Sequence, residues 1–130
     1  MLDIGCGRGG GAAFVFEHVG PRSLTGLDLA KTAIDNCRAR YSRPGLAFVT
    51  GDGEALPFPD GAFDAIISVE SSHCYPDMRR FLGEAHRVLR RGGLLLLADF
   101  RRSNPPPGSD EVAALREQLA ETGFRTLEVR

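Results

Sequence analysis

The chain has 130 residues and carries 16 Lys and Arg against 17 Asp and Glu. This length suffices for one domain with a hydrophobic core, and the balanced charge argues against general electrostatic binding of nucleic acid or of an anionic membrane. The three cysteines lack zinc-ligand spacing, and no apolar run approaches the roughly 20 residues of a membrane span. We therefore expect a cytoplasmic protein with reduced thiols, no metal site and no membrane span.

Short apolar runs predict six strands along the chain. They lie at residues 1–4, 23–27, 46–49, 63–69, 94–100 and 124–129. The fifth run is apolar enough to be buried on both faces, as is typical of strands in a parallel sheet.

Apolar residues at helical spacing predict four helices between these strands. They lie at residues 11–18, 30–41, 78–89 and 110–121, and Gly92 with Gly93 marks the end of the third. Proline-containing loops follow the third strand, at 54–62, and the fifth strand, at 103–108. The alternation of strands and helices predicts an α/β fold with a doubly wound parallel sheet and right-handed crossovers.

Polar side chains follow the first four predicted strands. Asp3 lies near the end of the first strand, Asp28 ends the second, Asp52 follows the third and residues 70–73 follow the fourth. Ligands of such sheets bind beyond the carboxyl ends of the strands, near the point where the strand order reverses. The sequence therefore predicts one ligand cleft at this edge of the sheet.

The turn after the first strand is rich in glycine, which allows close approach of a backbone to a ligand. Gly5, Gly7 and Gly10 match the dinucleotide-binding pattern, with Asp28 at a suitable distance to hold a ribose, so an NAD-dependent oxidoreductase is one interpretation. Two features argue against it. Asp3 is a carboxylate where an apolar residue is usual, and a buried carboxylate needs a cationic partner such as an amino-acid ammonium. Residues 51–53 (GDG) offer an acceptor and backbone groups suited to an adenine edge.

Several segments resemble, in chain order, the motifs of class I S-adenosylmethionine-dependent methyltransferases of the type 11 group. They are residues 3–9 (DIGCGRG), 26–28 (GLD), 51–63 (GDGEALPFPDGAF), 63–67 (FDAII) and 88–95 (VLRRGGLL). Residues 69–76 (VESSHCYP) are similar to a segment of the phthiotriolone and phenolphthiotriolone dimycocerosate methyltransferases and related natural-product enzymes. The resemblance implies a Rossmann-like sheet with strand order 3-2-1-4-5 plus a partial sixth strand. It also implies that residues 1–130 form one S-adenosylmethionine-binding core that lacks the family's N-terminal lid helices and C-terminal hairpin strand.

The resemblance assigns cofactor roles to residues in the loops at the strand ends. Those implied to bind S-adenosylmethionine are Gly5, Gly7 and Gly9 (close approach), Asp3 (methionine end), Asp28 (ribose hydroxyls), Leu29 (adenine face), Asp52, Gly53 and Glu54 (adenine edge), and Val69 and Glu70 (floor beneath the methyl donor).

Each assignment has a plainer structural alternative. The glycines could only make a tight strand-to-helix turn. Asp28 could cap the second helix, Asp52 could be a turn residue, and Glu54 could be a solvated charge. Leu29 could be ordinary packing.

His73, at the mouth of the cleft, is the candidate general base, because its ordinary pKa of about 6.5 suits proton transfer near neutral pH. Its alternative role is a hydrogen bond within the loop, and Tyr75 and Glu70 could instead shape the acceptor pocket. The predicted function is O-methylation of a small or lipid-like hydroxyl compound. A quinone-type C-methyltransferase and a non-catalytic cofactor-binding remnant remain as alternatives. An exposed sheet edge near the fifth strand suggests association into a homo-oligomer.

Overall fold

A computed structural model of the protein describes residues 1–71, 74–99 and 107–127. Within these residues, five strands form one parallel sheet, and their order across the sheet is β3-β2-β1-β4-β5. The strands are β1 (Leu2–Ile4), β2 (Leu24–Asp28), β3 (Leu46–Thr50), β4 (Phe63–Val69) and β5 (Leu89–Ala98). The helices are α1 (Gly10–Val19), α2 (Lys31–Arg40), α3 (Met78–Val88) and α4 (Glu111–Glu121). The predicted α/β class and strand order are confirmed.

The short central strand β1 aligns the ends of its two neighbours. Asp3 pairs with Gly26 of β2 on one side and with Ile67 of β4 on the other, and Ile4 pairs with Leu27. Because the strands are parallel, their carboxyl ends meet at one edge of the sheet. Asp3, Asp28 and the residues after Val69 therefore lie at the same edge.

Side chains that alternate along the strands form a core on each face of the sheet. On one face, Leu2, Ile4 and Leu27 pack with the inward side of α3. Asp77 caps the start of this helix, and its carboxylate accepts a hydrogen bond from the Arg80 backbone N–H at 3.0 Å. The second cluster, on the other face, contains residues of α1 and α2. Its buried members are Ala12, Ala13, Leu24, Ile34, Cys37, Leu46 and Phe48.

The β3–β4 connection contains no helix in the structure. Leu56 is buried in the first core cluster, and Arg87 of α3 donates hydrogen bonds to the carbonyl oxygens of Leu56 at 3.0 Å and Phe58 at 2.8 Å, and to the Asp60 carboxylate at 2.9 Å. One guanidinium group therefore fixes this loop against α3.

The prediction for the fifth strand was wrong in two respects. The strand begins at Leu89, directly after α3, and includes Gly92 and Gly93, since a register shift against β4 accommodates the extra residues. Only one of its faces is buried, because Leu94 and Leu96 are 58% and 63% exposed. Helices α1 and α2 contact β2 and β3, and no helix of the described ranges covers this face of β5.

The predicted sixth strand is also wrong over residues 124–127, where no strand forms, and residues 128–130 lie outside the described part. The Phe124 ring instead packs edge-on against His86 of α3, with ring centres 5.2 Å apart. An ion pair between Arg79 and Glu121 at 2.7 Å also joins α4 to α3. Among the described helices, none has the length and apolar character that a membrane span needs.

Candidate functional site

The glycine turn between β1 and α1 folds back over the end of β2. Gly5, Gly7 and Gly9 all have positive φ angles, of 80°, 53° and 81°, which glycine adopts without steric cost. The backbone N–H of Gly5 donates to the Leu27 carbonyl at 2.8 Å, and that of Gly7 donates to Asp28 Oδ2 at 2.9 Å. The turn and the carboxyl end of β2 therefore form one hydrogen-bonded unit.

The three glycines of this turn have different surroundings. A Cβ at Gly5 would stand 2.6 Å from the Ser71 hydroxyl oxygen, and a Cβ at Gly9 would stand 2.8 Å from the Cys37 sulfur. At Gly7, no heavy atom lies within 4 Å of that position. Gly5 and Gly9 are thus accounted for by packing beneath the turn, whereas Gly7 faces open space that a ligand could fill.

Asp3 is a buried carboxylate without a hydrogen-bond donor among the described residues. Its relative exposure is 6%, and its burial raises the pKa to about 6, with a further contribution from the negative charge of Asp28. A buried charge without a partner is costly, and no side chain or backbone donor in the described part of the chain offsets this cost for Asp3. A cationic ligand group beside Asp3 would remove this cost.

Asp28 uses both carboxylate oxygens to hold backbone groups. Oδ2 accepts from Gly7, and Oδ1 accepts from the Ala30 N–H at 2.9 Å, just before α2. The structural alternative, in which Asp28 caps the second helix, is wrong, because the N-cap of α2 is Ala30 and no side chain caps this helix. Asp28 makes a turn before α2 instead, and each carboxylate oxygen has a second acceptor position for a ligand hydroxyl. The neighbouring Leu29 is 72% exposed, so packing within the chain does not account for it.

The loop after β3 is ordered by its own side chains. Asp52 is exposed, and its Oδ1 accepts from the Glu54 backbone at 2.9 Å, which makes the turn that the structural alternative predicts. The Glu54 carboxylate accepts from the Asp77 N–H at 2.6 Å and so ties this loop to the start of α3. The Gly51 N–H donates to the Asp28 carbonyl at 2.9 Å, which joins the loop to the end of β2.

The end of β4 combines exposure with backbone strain. Val69 and Glu70 are exposed. Glu70 has a φ of 54° and is the only non-glycine residue of the described ranges with a positive φ. Its N–H donates to the Ala98 carbonyl at 2.6 Å. Strained backbone of this kind clusters at functional sites. The candidate base His73 lies outside the described residues, so its role stays a prediction.

The sequence did not identify Ser71 and Tyr75 as part of the candidate cofactor site. Ser71 is buried, and its hydroxyl lies 2.6 Å from that of Ser68 and donates to the Ile4 carbonyl at 3.0 Å. The Tyr75 ring lies against Gly53, where a Cβ would stand 2.7 Å from a ring carbon. Their position after the fourth strand was the one sequence feature that pointed to the site. The sequence does not show that Ser71 contacts the glycine turn at Gly5 or that Tyr75 contacts the loop at Gly53.

The loops at the carboxyl edge of the sheet present mainly hydrogen-bond acceptors and few apolar side chains. This edge contains the buried Asp3 carboxylate, the spare acceptor positions of Asp28, the open backbone at Gly7 and the exposed Leu29 side chain. Such a set suits a ligand with an ammonium group, hydroxyls and an aromatic base. Within the described ranges, no three His, Cys, Asp or Glu side chains are placed to hold a metal ion.

Proteins similar to this chain include mycobacterial lipid methyltransferases. The chain is 48% identical to the "phthiotriol/phenolphthiotriol dimycocerosates methyltransferase" of Mycobacterium tuberculosis over 130 residues, which is 100% of this chain and 46% of that protein. It is 50% identical to the "fatty-acid O-methyltransferase" of Mycolicibacterium smegmatis over 101 residues, 78% of this chain and 37% of that protein. The chain thus spans less than half the length of these curated relatives.

Solved structures agree with this similarity. An S-adenosylmethionine-dependent methyltransferase from Mesorhizobium loti superimposes with a TM-score of 0.68 at 29% identity, over 74% of this chain and 43% of that one. A SAM-dependent methyltransferase from Aquifex aeolicus has the same fold, with a TM-score of 0.79 at 20% identity over 95% and 71% of the two chains. A family model described as "Methyltransferase domain" matches residues 2–97. The chain therefore belongs to the methyltransferase domain family.

Proposed function

We propose that this chain binds S-adenosylmethionine and is the cofactor-binding core of a methyltransferase that acts on an oxygen of a lipid-like or small-molecule acceptor. The single observation that carries the proposal is the buried Asp3 carboxylate, which lacks a donor among the described residues and lies beside Asp28 at the carboxyl edge of the sheet. Membership of the methyltransferase domain family supports the same conclusion.

The acceptor groups and the apolar surface of the site fit this cofactor. Asp3 offers a negative charge to the ammonium group, and Asp28 offers acceptor positions to the ribose hydroxyls. Leu29 offers exposed apolar surface to the adenine face, and the loop of Asp52, Gly53 and Glu54 is proposed to contact the adenine edge. The backbone at Gly7 leaves room for close approach.

When bound, the cofactor supplies an activated methyl group, so the protein needs to orient the acceptor and exclude water rather than to form a covalent intermediate. Val69 and Glu70, at the end of β4, are proposed to form the floor beneath the transferred group. His73 is proposed to accept the proton of an acceptor hydroxyl.

The acceptor class rests on the named relatives. One is a dimycocerosates methyltransferase and another is a fatty-acid O-methyltransferase, so both act on lipids by name. A lipid-like oxygen acceptor is therefore favoured over a quinone carbon. The cytoplasmic location and the homo-oligomer expected from the sequence stay predictions.

Calorimetric titration tests the cofactor. We expect the chain to bind S-adenosylmethionine and S-adenosylhomocysteine but not NAD. Asp28→Ala should weaken binding about 100-fold, because it removes a charged acceptor of ligand hydroxyls, each such hydrogen bond being worth about 1.5–3 kcal/mol. Asp35→Ala is the matched control, since Asp35 forms only an exposed pair with Lys31 on α2. Binding of NAD, or equal affinities in the two variants, would refute the assignment.

Transfer of a labelled methyl group tests the activity. The chain should label a fatty-acid or hydroxylated lipid acceptor in a panel that also contains a quinone precursor. His73→Ala should lower the rate about 100-fold while cofactor affinity is retained, which is within the range for loss of a general base. Cofactor binding without transfer to any acceptor would instead favour the non-catalytic alternative.

A further inference from the structure

The Glu54 side chain connects the loop after β3 to the start of α3. Its Oε1 accepts a hydrogen bond from the backbone N–H of Asp77 at 2.6 Å, across 23 residues of sequence. Asp77 is the N-cap of α3, and its own carboxylate accepts a hydrogen bond from the Arg80 N–H at 3.0 Å. The start of α3 is thus held by two carboxylates, a local one and a distant one.

The first turn of α3 contains no acidic side chain that could replace Glu54. In a capping box, a Glu or Gln at the third helical position accepts the hydrogen bond of the N-cap N–H. In α3 that position is Arg80, whose guanidinium group has donors only. Glu54 therefore supplies, from another loop, the half of a capping box that the sequence of α3 lacks.

The main chain of Glu54 belongs to the loop that is proposed to contact adenine. Its N–H donates to Asp52 Oδ1 at 2.9 Å, and the Gly51 N–H donates to the Asp28 carbonyl at 2.9 Å. Glu54 therefore has its main chain in this loop and its carboxylate on α3. A displacement of residues 51–54 would move the acceptor away from the Asp77 N–H.

A second contact joins the same two segments. A Cβ at Gly53 would stand 2.7 Å from a carbon of the Tyr75 ring, and that ring stacks on Phe81 of α3 with ring centres 4.4 Å apart. Residues 53 and 54 thus contact residues 75 and 77. The connection between β4 and α3, whose sequence includes the candidate base His73, is therefore attached to the loop of residues 51–54 at its α3 end.

We infer that Glu54 is a positioning residue, whose carboxylate couples occupation of residues 51–54 by the cofactor to the order of the α3 start. This inference rests on the proposed function. Cofactor binding holds the loop, the held loop keeps Oε1 at the Asp77 N–H, and the first turn of α3 then opens less often. The adenine edge is left to Asp52 and Gly53, because Oε1 of Glu54 is engaged with α3.

Amide hydrogen exchange measured by NMR tests this coupling. The ligand is 5′-methylthioadenosine, which carries adenine and ribose without the amino-acid end of the cofactor. In the unmodified chain, saturation with this nucleoside should slow exchange of the Asp77 N–H about 10-fold, which is within the usual range of coupling between two sites. The Ala113 N–H is the internal control and should not respond, because Asp110 holds it in the equivalent cap of a different helix, α4, at 3.0 Å.

Two substitutions at position 54 separate the carboxylate from the rest of the loop. Glu54→Ala should abolish the slowing at Asp77. Glu54→Gln should retain it, because the amide oxygen of glutamine accepts the same hydrogen bond. Glu17→Ala, at an exposed glutamate of α1, is the matched control and should retain the slowing as well.

The outcomes are distinct. Slowing that persists in Glu54→Ala, or that is absent in Glu54→Gln, overturns the inference. Equal slowing at Asp77 and Ala113 in the unmodified chain also overturns it, whether or not a variant folds, because a ligand that only stabilises the whole fold acts on both amides. Calorimetric binding of the nucleoside without slowing at Asp77 overturns the inference and leaves the proposed function intact. If the unmodified chain binds neither this nucleoside nor S-adenosylhomocysteine, the proposed function fails, and this inference fails with it.

Discussion

Strands β2 and β5 are both rich in apolar residues, yet they occupy different environments. In β2, Leu24 is buried toward α1 and α2 and Leu27 is buried toward α3. In β5, Leu95 and Leu97 pack against the α3 side, but Leu94 and Leu96 are exposed on the other face. An apolar strand is therefore buried on both faces only where the strand order places helices on both sides of it.

The largest effect expected from this contrast is on stability. Leu27→Ala should lower the free energy of unfolding by about 3–4 kcal/mol, because it removes a buried side chain and leaves a cavity. Leu96→Ala should change it by less than about 0.5 kcal/mol, because that side chain is exposed. Chemical denaturation of both variants measures the difference. A comparable loss in the two would mean that the open face of β5 is covered in solution.

The second prediction concerns Asp3, the buried carboxylate near the end of β1, which is the strand next to β2. Its pKa is raised from 3.8 to about 6 in the folded state, so the folded chain binds more protons than the unfolded chain between these values. Its contribution to stability is thus present below pH 4 and is lost as the pH rises through 6, by about 3 kcal/mol.

The measurement is the difference between two pH profiles of unfolding. Relative to Asp3→Asn, the unmodified chain should lose stability between pH 4 and pH 7, and two parallel profiles would contradict the raised pKa.

A ligand cation needs the ionised form, so binding of S-adenosylmethionine should be about 10-fold weaker at pH 5 than at pH 7.5 in the unmodified chain alone.

The smallest effect is expected at the end of β4, where the open half of the sheet begins. Glu70→Gly should raise the free energy of unfolding by about 1 kcal/mol, because glycine accepts the positive φ without strain. Val69→Gly is the control and should lower it, since Val69 is in the extended backbone of the strand. Thermal unfolding of both variants is the measurement, and destabilisation by Glu70→Gly would show that its backbone is not strained.

The sequence was sufficient for features that depend on local pattern. The order of strands and helices follows from apolar spacing, and the placement of Asp3, Asp28 and Asp52 at strand ends follows from their position after apolar runs. Resemblance to a family added the strand order. Predicting these features requires no knowledge of which distant segments of the chain pack against each other.

The features that the sequence missed depend on contacts between distant segments. Residues 90–93 (RRGG) interrupt the apolar residues between Leu89 and Leu94, so the sequence predicts the end of a helix there. The boundary between α3 and β5 at Leu89 is set instead by pairing with β4. The open face of β5 depends on where α1 and α2 pack. Ser71 packs against Gly5 and Cys37 packs against Gly9, although each pair is far apart in the chain.

The fixing of the β3–β4 loop by Arg87 has a consequence for how this connection tolerates change. Arg87 binds this loop mainly through the main-chain oxygens at positions 56 and 58, so these hydrogen bonds do not depend on which side chains stand there. The planar fork of arginine reaches several acceptors at once, whereas the single ammonium group of lysine is a point charge on a flexible stem. Arg87→Lys would therefore loosen the segment between residues 51–54 and β4, even though the charge is retained.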